Sequence, residues 1–144
     1  MRLFTIGFTK KTAEQFFETL KKSGTKRLVD VRLNNVSQLA GFAKKKDLIY
    51  FLERICGIEY VHEPLLAPEQ RMLDVYKKGK GAWSDYERKF LHLMEQRHIE
   101  DKVKSEVLEG SCLLCSEDKP HHCHRRLVAE YLKGHWGNVE IQHL

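Results

Sequence analysis

Five short apolar runs recur along the 144-residue chain, and stretches with helical apolar spacing separate them. That alternation constrains the fold more than any other feature. The run RLFTIG at residues 2–7 reads as a first strand. Thr12-Ala13-Glu14-Gln15 then has capping-box form, Phe16, Phe17 and Leu20 follow at helical spacing, and Gly24 closes the helix. Residues 27–31 (RLVDV) form a second strand, and residues 33–44 read as loop with some helical character. Leu48, Phe51, Leu52 and Ile55 share one stripe of a helix over residues 46–56, which Gly57 stops. Residues 58–62 (IEYVH) alternate as a third strand. Beyond Pro64 and Pro68, Met72 to Tyr76 form a helical turn. Ser84-Asp85-Tyr86-Glu87 resembles another N-cap, and Tyr86, Phe90, Leu93 and Met94 begin a long amphipathic helix reaching about residue 107. Residues 111–116 (SCLLCS) follow Gly110 as a fourth strand. Leu127, Val128, Tyr131 and Leu132 mark a helix over residues 123–133 with Gly134 after it, and VEIQ at residues 139–142 is the last strand.

Strands that alternate with helices predict a parallel sheet covered on both faces. The expected fold is one α/β domain over residues 1–144, a three-layer sandwich with a mainly parallel sheet of about five strands, Rossmann-like. A chain of this length buries roughly 70% of its unfolded surface, so it needs no disulfide staples. Active sites in such sheets lie beyond the carboxyl ends of the strands. The loops of residues 7–11, 32–37 and 116–123 leave those ends and are expected to converge on one edge.

Composition narrows the setting. No apolar run approaches the roughly 18 residues of a membrane helix. The opening MRLFTIGFTKK has too short an apolar stretch for a signal peptide. A cytoplasmic protein without membrane association is expected, with cysteines that meet a reducing environment as thiols, ligands or transient redox groups. The formal charge of +5 is uneven. Residues 1–56 carry twelve Lys/Arg against five Asp/Glu, whereas residues 57–109 carry nine against eleven. That excess, in Lys10, Lys11, Lys21, Lys22, Lys26, Arg27 and Lys44 to Lys46, reads either as solvated helix ends or as a face for a nucleic acid or other phosphate-bearing partner.

Cys112, Cys115, His121, His122, Cys123 and His124 fall within thirteen residues. Cys112 and Cys115 have zinc-like C-x-x-C spacing, but on a strand positions i and i+3 point to opposite faces and cannot share a metal. A site built from Cys115, Cys123 and a loop histidine stays open. A phosphatase-type loop would need Arg six residues after the cysteine, where this chain has His121 after Cys115 and Ala129 after Cys123. The favoured chemistry is an activated thiol. Cys123 stands where loop becomes helix, and unpaired N–H groups and the macrodipole stabilise a thiolate there. Arg125 and Arg126 add positive charge, and His121 or His124 is the candidate proton carrier. Cys115 is then the resolving partner or supporting donor. Cys112 and Cys56 read as core hydrophobes, and His92 and His98 as solvated residues on a charged helix.

Other strand ends carry supporting residues. Asp30 in an apolar strand requires an Arg or backbone N–H partners. The planar fork of Arg32 suits an anionic group, as does that of Arg125. Gly7 and Thr9 lie where backbone can approach a ligand closely. Ser37 ends the second loop. Glu117 reads as a general acid or base, or as a solvated carboxylate. His143 lies after the last strand.

Together these residues resemble the family known as domain of unknown function 488. Its Leu-x-Cys-x-Glu-x-x-Pro-x-x-Cys-His-Arg motif is met by Leu113, Cys115, Glu117, Pro120, Cys123, His124 and Arg125. Its Asp-Val-Arg is met by Asp30-Val31-Arg32, with Ser37 following. Its terminal hydrophobic-x-His-hydrophobic is met by Ile141-Gln142-His143-Leu144. Its opening Thr-Ile-Gly-His-Ser is met by Thr5-Ile6-Gly7 and departs at Phe8 and Thr9, so the family's histidine is not a proton carrier here. The resemblance implies an α/β fold and an enzymatic role for the paired cysteines, without a particular reaction.

The leading expectation is a thiol-dependent enzyme acting on an anionic, phosphate-bearing or nucleotide-like substrate through Cys123 with Cys115. Cofactors and bound metal have no part in it. The alternatives are a nucleic-acid-binding module using the basic N-terminal third and a Cys/His metal-binding protein.

Overall fold

A computed structural model describes residues 1–36 and 41–144. Strands β1 (Arg2–Gly7), β2 (Arg27–Asp30), β3 (Glu59–His62), β4 (Ser111–Cys115) and β5 (Glu140–His143) form one sheet in the order β3-β2-β4-β1-β5. Every pairing is parallel. The two edge strands have four residues each, which limits the unpaired backbone they expose. No helix among the described residues is long and apolar enough to cross a membrane.

Side-chain alternation along the strands builds a separate core on each face. Phe4, Ile6, Leu28, Cys112 and Leu114 pack under α1 (Ala13–Ser23) and α2 (Lys45–Phe51), the latter continued by a π-helical turn over Leu52–Cys56. Leu3, Val29, Leu113 and Cys115 pack under α4 (Trp83–Arg97) and α7 (His124–Trp136). Between β3 and α4 lies α3 (Gln70–Lys77), half-buried against the same core. The expected three-layer α/β sandwich, Rossmann-like, is therefore the observed one. Cys112 and Cys115 do face opposite sides, as strand alternation requires.

Local signals held where they rest on backbone chemistry. Thr12 and Gln15 form the reciprocal capping box at α1, and Gly24 closes that helix in the left-handed conformation. Three helix boundaries differ from the sequence pattern. The helix expected to reach residue 107 stops at Arg97, because His98 adopts φ 52° and turns the chain. Two short helices follow, α5 (Ile99–Lys102) and α6 (Ser105–Leu108), and the turn lets Ile99, Val103 and Leu108 fold back into the core. Helix α7 runs through Gly134 to Trp136, whose indole N–H reaches the Glu100 carbonyl at 3.1 Å. That tertiary bond and the packing of Trp136 outweigh a glycine's helix penalty of about 1 kcal/mol. Helix α4 starts at Trp83, capped by Ala82 rather than Ser84 and without a side-chain cap.

Strand β4 sits between β1 and β2, and the connections leaving these three strands diverge. The chain leaves β1 and β2 for helices on one face and leaves β4 for α7 on the other. A crevice opens at such a switch point beyond the carboxyl ends. The basic residues divide between the two edges of the sheet. Lys21 and Lys22 in the last turn of α1 and Lys26 before β2 lie at the opposite edge of the sheet, while Lys10, Lys11 and Lys44 to Lys46 lie at the crevice edge.

Removing the Thr12 cap leaves a helix N–H without its partner. The Thr12→Ala variant is expected to lose about 1 kcal/mol, read as a lower urea midpoint at unchanged slope.

Candidate functional site

Backbone bonds lace the three carboxyl-end loops together. Thr9 N–H donates to the Ser116 carbonyl at 3.1 Å, Val31 N–H donates to the Leu114 carbonyl at 3.1 Å, and the Thr9 hydroxyl donates to the Ser116 carbonyl as well. Gly7 lies against the Glu117 carbonyl so closely that a Cβ would overlap it. Arg125, fully buried at the start of α7, completes the clamp. Its guanidinium donates to the Thr5 hydroxyl at 3.3 Å, to the Glu117 carbonyl and to the Asp118 carbonyl at 3.2 Å. Lys11 pairs with Asp118 at 2.9 Å on the outside of the same loop.

This arrangement places three of the expected substrate-binding residues, Gly7, Thr9 and Arg125, outside the cavity lining. Each guanidinium nitrogen of Arg125 donates to a protein oxygen, and Arg125 does not line the cavity. Gly7 and Thr9 shape the β4–α7 loop rather than line the cavity. Ser37 lies outside the described residues.

Beyond the clamp is a cavity of about 510 Å³, lined by Arg32, Cys115, Glu117, Cys123 and His124 and walled by aromatic side chains. Cys115 ends β4 and His124 begins α7, and Cys115 Sγ lies 3.4 Å from His124 Nδ1. The other ring nitrogen, Nε2, lies 2.7 Å from the Val31 carbonyl. A carbonyl only accepts, so Nε2 donates to it, and Cys115 Sγ sits beside the ring, 3.8 Å from Nε2 and nearest to Nδ1. His124 is packed against Phe90, which fixes the ring.

The two thiols divide their electrostatics unevenly. Burial pushes Cys115 up, yet its net position is below an ordinary thiol. The Cys123 S–H, the backbone N–H groups of Ser116 and Glu117, and the Arg125 charge all favour its thiolate and outweigh the burial. Cys123 is held well above an ordinary thiol by burial, by donating to Cys115 and by the negative charge that Cys115 develops, although His124 and Arg125 pull the other way. The sequence pointed to Cys123 as the activated thiol at a helix start. Cys123 is indeed the α7 N-cap, but its side chain takes no helix N–H bond. Its sulfur serves as a donor, and Cys115 is the acidified thiol. Both are free and buried.

Arg32 lies at the cavity's other side. Asp30 Oδ1 accepts from the Arg32 backbone N–H at 3.1 Å and from Nε at 2.9 Å, and Oδ2 accepts from Nη2 at 2.8 Å. The Tyr60 hydroxyl donates to Asp30 Oδ2 at 2.6 Å and accepts from Asn35 Nδ2 at 3.0 Å. Burial and the Asp30 carboxylate raise the Tyr60 hydroxyl far above an ordinary phenol, so it stays a donor. Phe8 packs its ring 5.3 Å from the guanidinium carbon. Arg32 is 3% exposed, and its Nη1 has no hydrogen-bond partner among the described residues. A buried donor without an acceptor is destabilising by roughly 1–3 kcal/mol, and an anion in the cavity would relieve that.

The chain matches the family described as Domain of unknown function DUF488 over residues 12–132. It belongs to that family. No curated protein and no solved structure matches it. The DUF488 match covers β2, β4 and most of α7, the elements that carry Arg32, Cys115, Cys123 and His124.

The remaining expected residues take lesser places. Glu117 reaches the rim with a half-exposed side chain 4.0 Å from Lys77 Nζ. His121 faces solvent and offers its carbonyl to Arg126. His143 Nδ1 lies 2.6 Å from the Thr5 hydroxyl, away from the cavity, and burial followed by the Arg125 charge lowers its pKa. His92 and His98 are exposed, Cys112 is buried, and Cys56 is half-buried with its S–H toward the Phe17 carbonyl. For metal binding, the donor atoms of Cys115, Cys123 and His124 lie within 4.8 Å of one another. A second set, His98, Glu100 and Asp101, sits on the surface.

Sequence reasoning missed Tyr60, Asn35, Tyr76, Trp83 and Tyr86. The last three lie on helical stripes that read as ordinary core, and only the position of α3 and α4 over the crevice distinguishes them. Burial, and then the nearby Cys115 and Cys123, pushes the Tyr86 hydroxyl far above an ordinary phenol.

Gly7 offers a direct check of the clamp. A methyl group there collides with the Glu117 carbonyl. Gly7→Ala is expected to lower stability by about 1–3 kcal/mol in urea unfolding and to raise the apparent pKa of Cys115 as the loop shifts.

Proposed function

We propose that this protein is a thiol-dependent enzyme acting on an anionic substrate, with Cys115 as the nucleophile. The observation that carries this reading is the environment of Cys115. A buried thiol is acidified by a neighbouring S–H, two backbone N–H groups and a buried guanidinium, and it lies beside the His124 ring, 3.4 Å from Nδ1. Groups with strongly shifted pKa values in a cavity are the usual mark of a reactive site.

In this reading the Cys115 proton passes to His124 Nδ1, and Sγ forms a bond to an electrophilic atom of the substrate. The protonated imidazole then returns the proton to the departing group. Cys123 stays protonated and stabilises the Cys115 sulfur when it is negative. Arg32 Nη1 holds the anionic group, and Asp30, Tyr60 and Phe8 hold Arg32 in place. The split of the lysines between two edges of the sheet favours this reading over a nucleic-acid face.

Alkylation by iodoacetamide, followed residue by residue with mass spectrometry across pH, tests the assignment. Cys115 is expected to reach half its maximal rate below the pKa of about 8.5 of a free thiol, and Cys123 well above it. Cys123→Ala removes the S–H donor and shifts the Cys115 profile to higher pH. A Cys115 rate no faster than that of a model peptide at neutral pH would sink the proposal. Elemental analysis of the purified chain separates it from the metal-binding alternative. No stoichiometric zinc is expected, since zinc would make both sulfurs ligands rather than nucleophile and donor.

A further inference from the structure

We infer that the anionic substrate carries a planar aromatic or heteroaromatic ring, and that Tyr76, Trp83, Tyr86 and His122 bind it. This rests on the thiol reading for the place of reaction, but its own support lies in the shape and chemistry of the cavity.

The first support is size. A cavity of about 510 Å³ falls within the roughly 300–1,000 Å³ of sites that enclose small organic ligands, far more than a bare phosphate or carboxylate fills. The second is the wall. Trp83 stacks on Tyr86 with ring centres 5.2 Å apart and on His122 at 5.0 Å, and Tyr76 meets both Trp83 and Tyr86 within 5.6 Å. All four line the cavity. Three of them come from consecutive helices, α3 and α4, and the fourth from the β4–α7 loop, so the wall spans the elements that close over the thiol. Tyr86 is buried and backs the wall against Phe90, while Trp83 and Tyr76 are half-buried and His122 is exposed, so these three offer the ring surface a ligand reaches. Rings stack with little regard to identity, because every aromatic base presents a π-face.

The third support is the opposite pole. Arg32 lines the same cavity, and its buried Nη1 has no partner among the described residues. One buried cationic donor and one aromatic wall, with Cys115 lining the same space, describe a ligand of two parts. Its anion meets Arg32, its ring meets the wall, and the atom between them is presented to the thiol. A phosphate and a carboxylate satisfy Arg32 equally well by chemistry, and the probes below separate them.

The full chain carrying Trp136→Phe retains Trp83 as its lone tryptophan, so quenching reports on the cavity. Titration uses phenyl phosphate, AMP, benzoate, adenosine and inorganic phosphate, and each probe is also scored for protection of Cys115 from iodoacetamide. At least one ring-bearing anion is expected to quench and protect, with a Kd at least tenfold below those of adenosine, which lacks the anion, and inorganic phosphate, which lacks the ring. Phenyl phosphate against benzoate tells which anion is preferred. Tyr76→Leu, scored by quenching, and Trp83→Leu, scored by protection, are expected to weaken the ring-bearing anion about tenfold and to leave inorganic phosphate unchanged. The inference is overturned if inorganic phosphate binds as tightly as every ring-bearing anion, or if no ring-bearing anion quenches or protects at millimolar concentration. A slow Cys115 with ring-anion quenching intact would instead overturn the thiol reading alone, and a fast Cys115 that no ring anion protects would overturn this one alone.

Discussion

The buried guanidinium of Arg125 is the contact on which the rest of the site depends. It joins the Thr5 hydroxyl of β1 to two carbonyls of the loop that leaves β4. A buried charge is tolerated only where its donors are satisfied, and here the acceptors are backbone and side-chain oxygens in fixed positions. The clamp closes the loop down on Gly7, sets the start of α7, and brings Cys123 and His124 back over the end of β4. The same charge favours the Cys115 thiolate, so one side chain both shapes the loop and acidifies the thiol.

Arg32 works differently although it is nearly as buried. Asp30 takes Nε and Nη2 and leaves Nη1 unpartnered beside the cavity. Tyr60 and Asn35 support the carboxylate, and Phe8 supports the guanidinium from its flat side. At the position where the family resemblance leads one to look for a histidine, this chain carries an aromatic ring that holds a cation. Two arginines thus end in different surroundings: every nitrogen of Arg125 is bonded to protein, whereas Arg32 keeps Nη1 unpartnered among the described residues. Residue type alone does not distinguish them, because the difference lies in which oxygens the fold places around each fork.

Most of the architecture was legible because it rests on local chemistry. Strand alternation predicts that Cys112 and Cys115 face opposite sides, and the capping box at Thr12 requires only four neighbouring residues. The misses share a cause. His98 turns the chain so that Ile99 can reach the core, and Trp136 carries α7 past Gly134 because it finds Glu100 in a different helix. In both cases a tertiary contact outweighs a propensity of about 1 kcal/mol or less.

The sequence by itself determined the layered α/β fold, the edge where the site lies, the family, and the short set Asp30, Arg32, Cys115, Cys123, His124 and Arg125. Those follow from periodicities and spacings that any packing must respect. Only the tertiary structure decided how the surroundings differ within that set. Which thiol is acidified depends on who donates to whom among two sulfurs and the N–H groups of Ser116 and Glu117. Which arginine can meet an anion depends on how many of its donors the protein already occupies. The aromatic wall came from the fold alone, since Tyr76, Trp83 and Tyr86 become a binding surface only when α3 and α4 close over the strand ends.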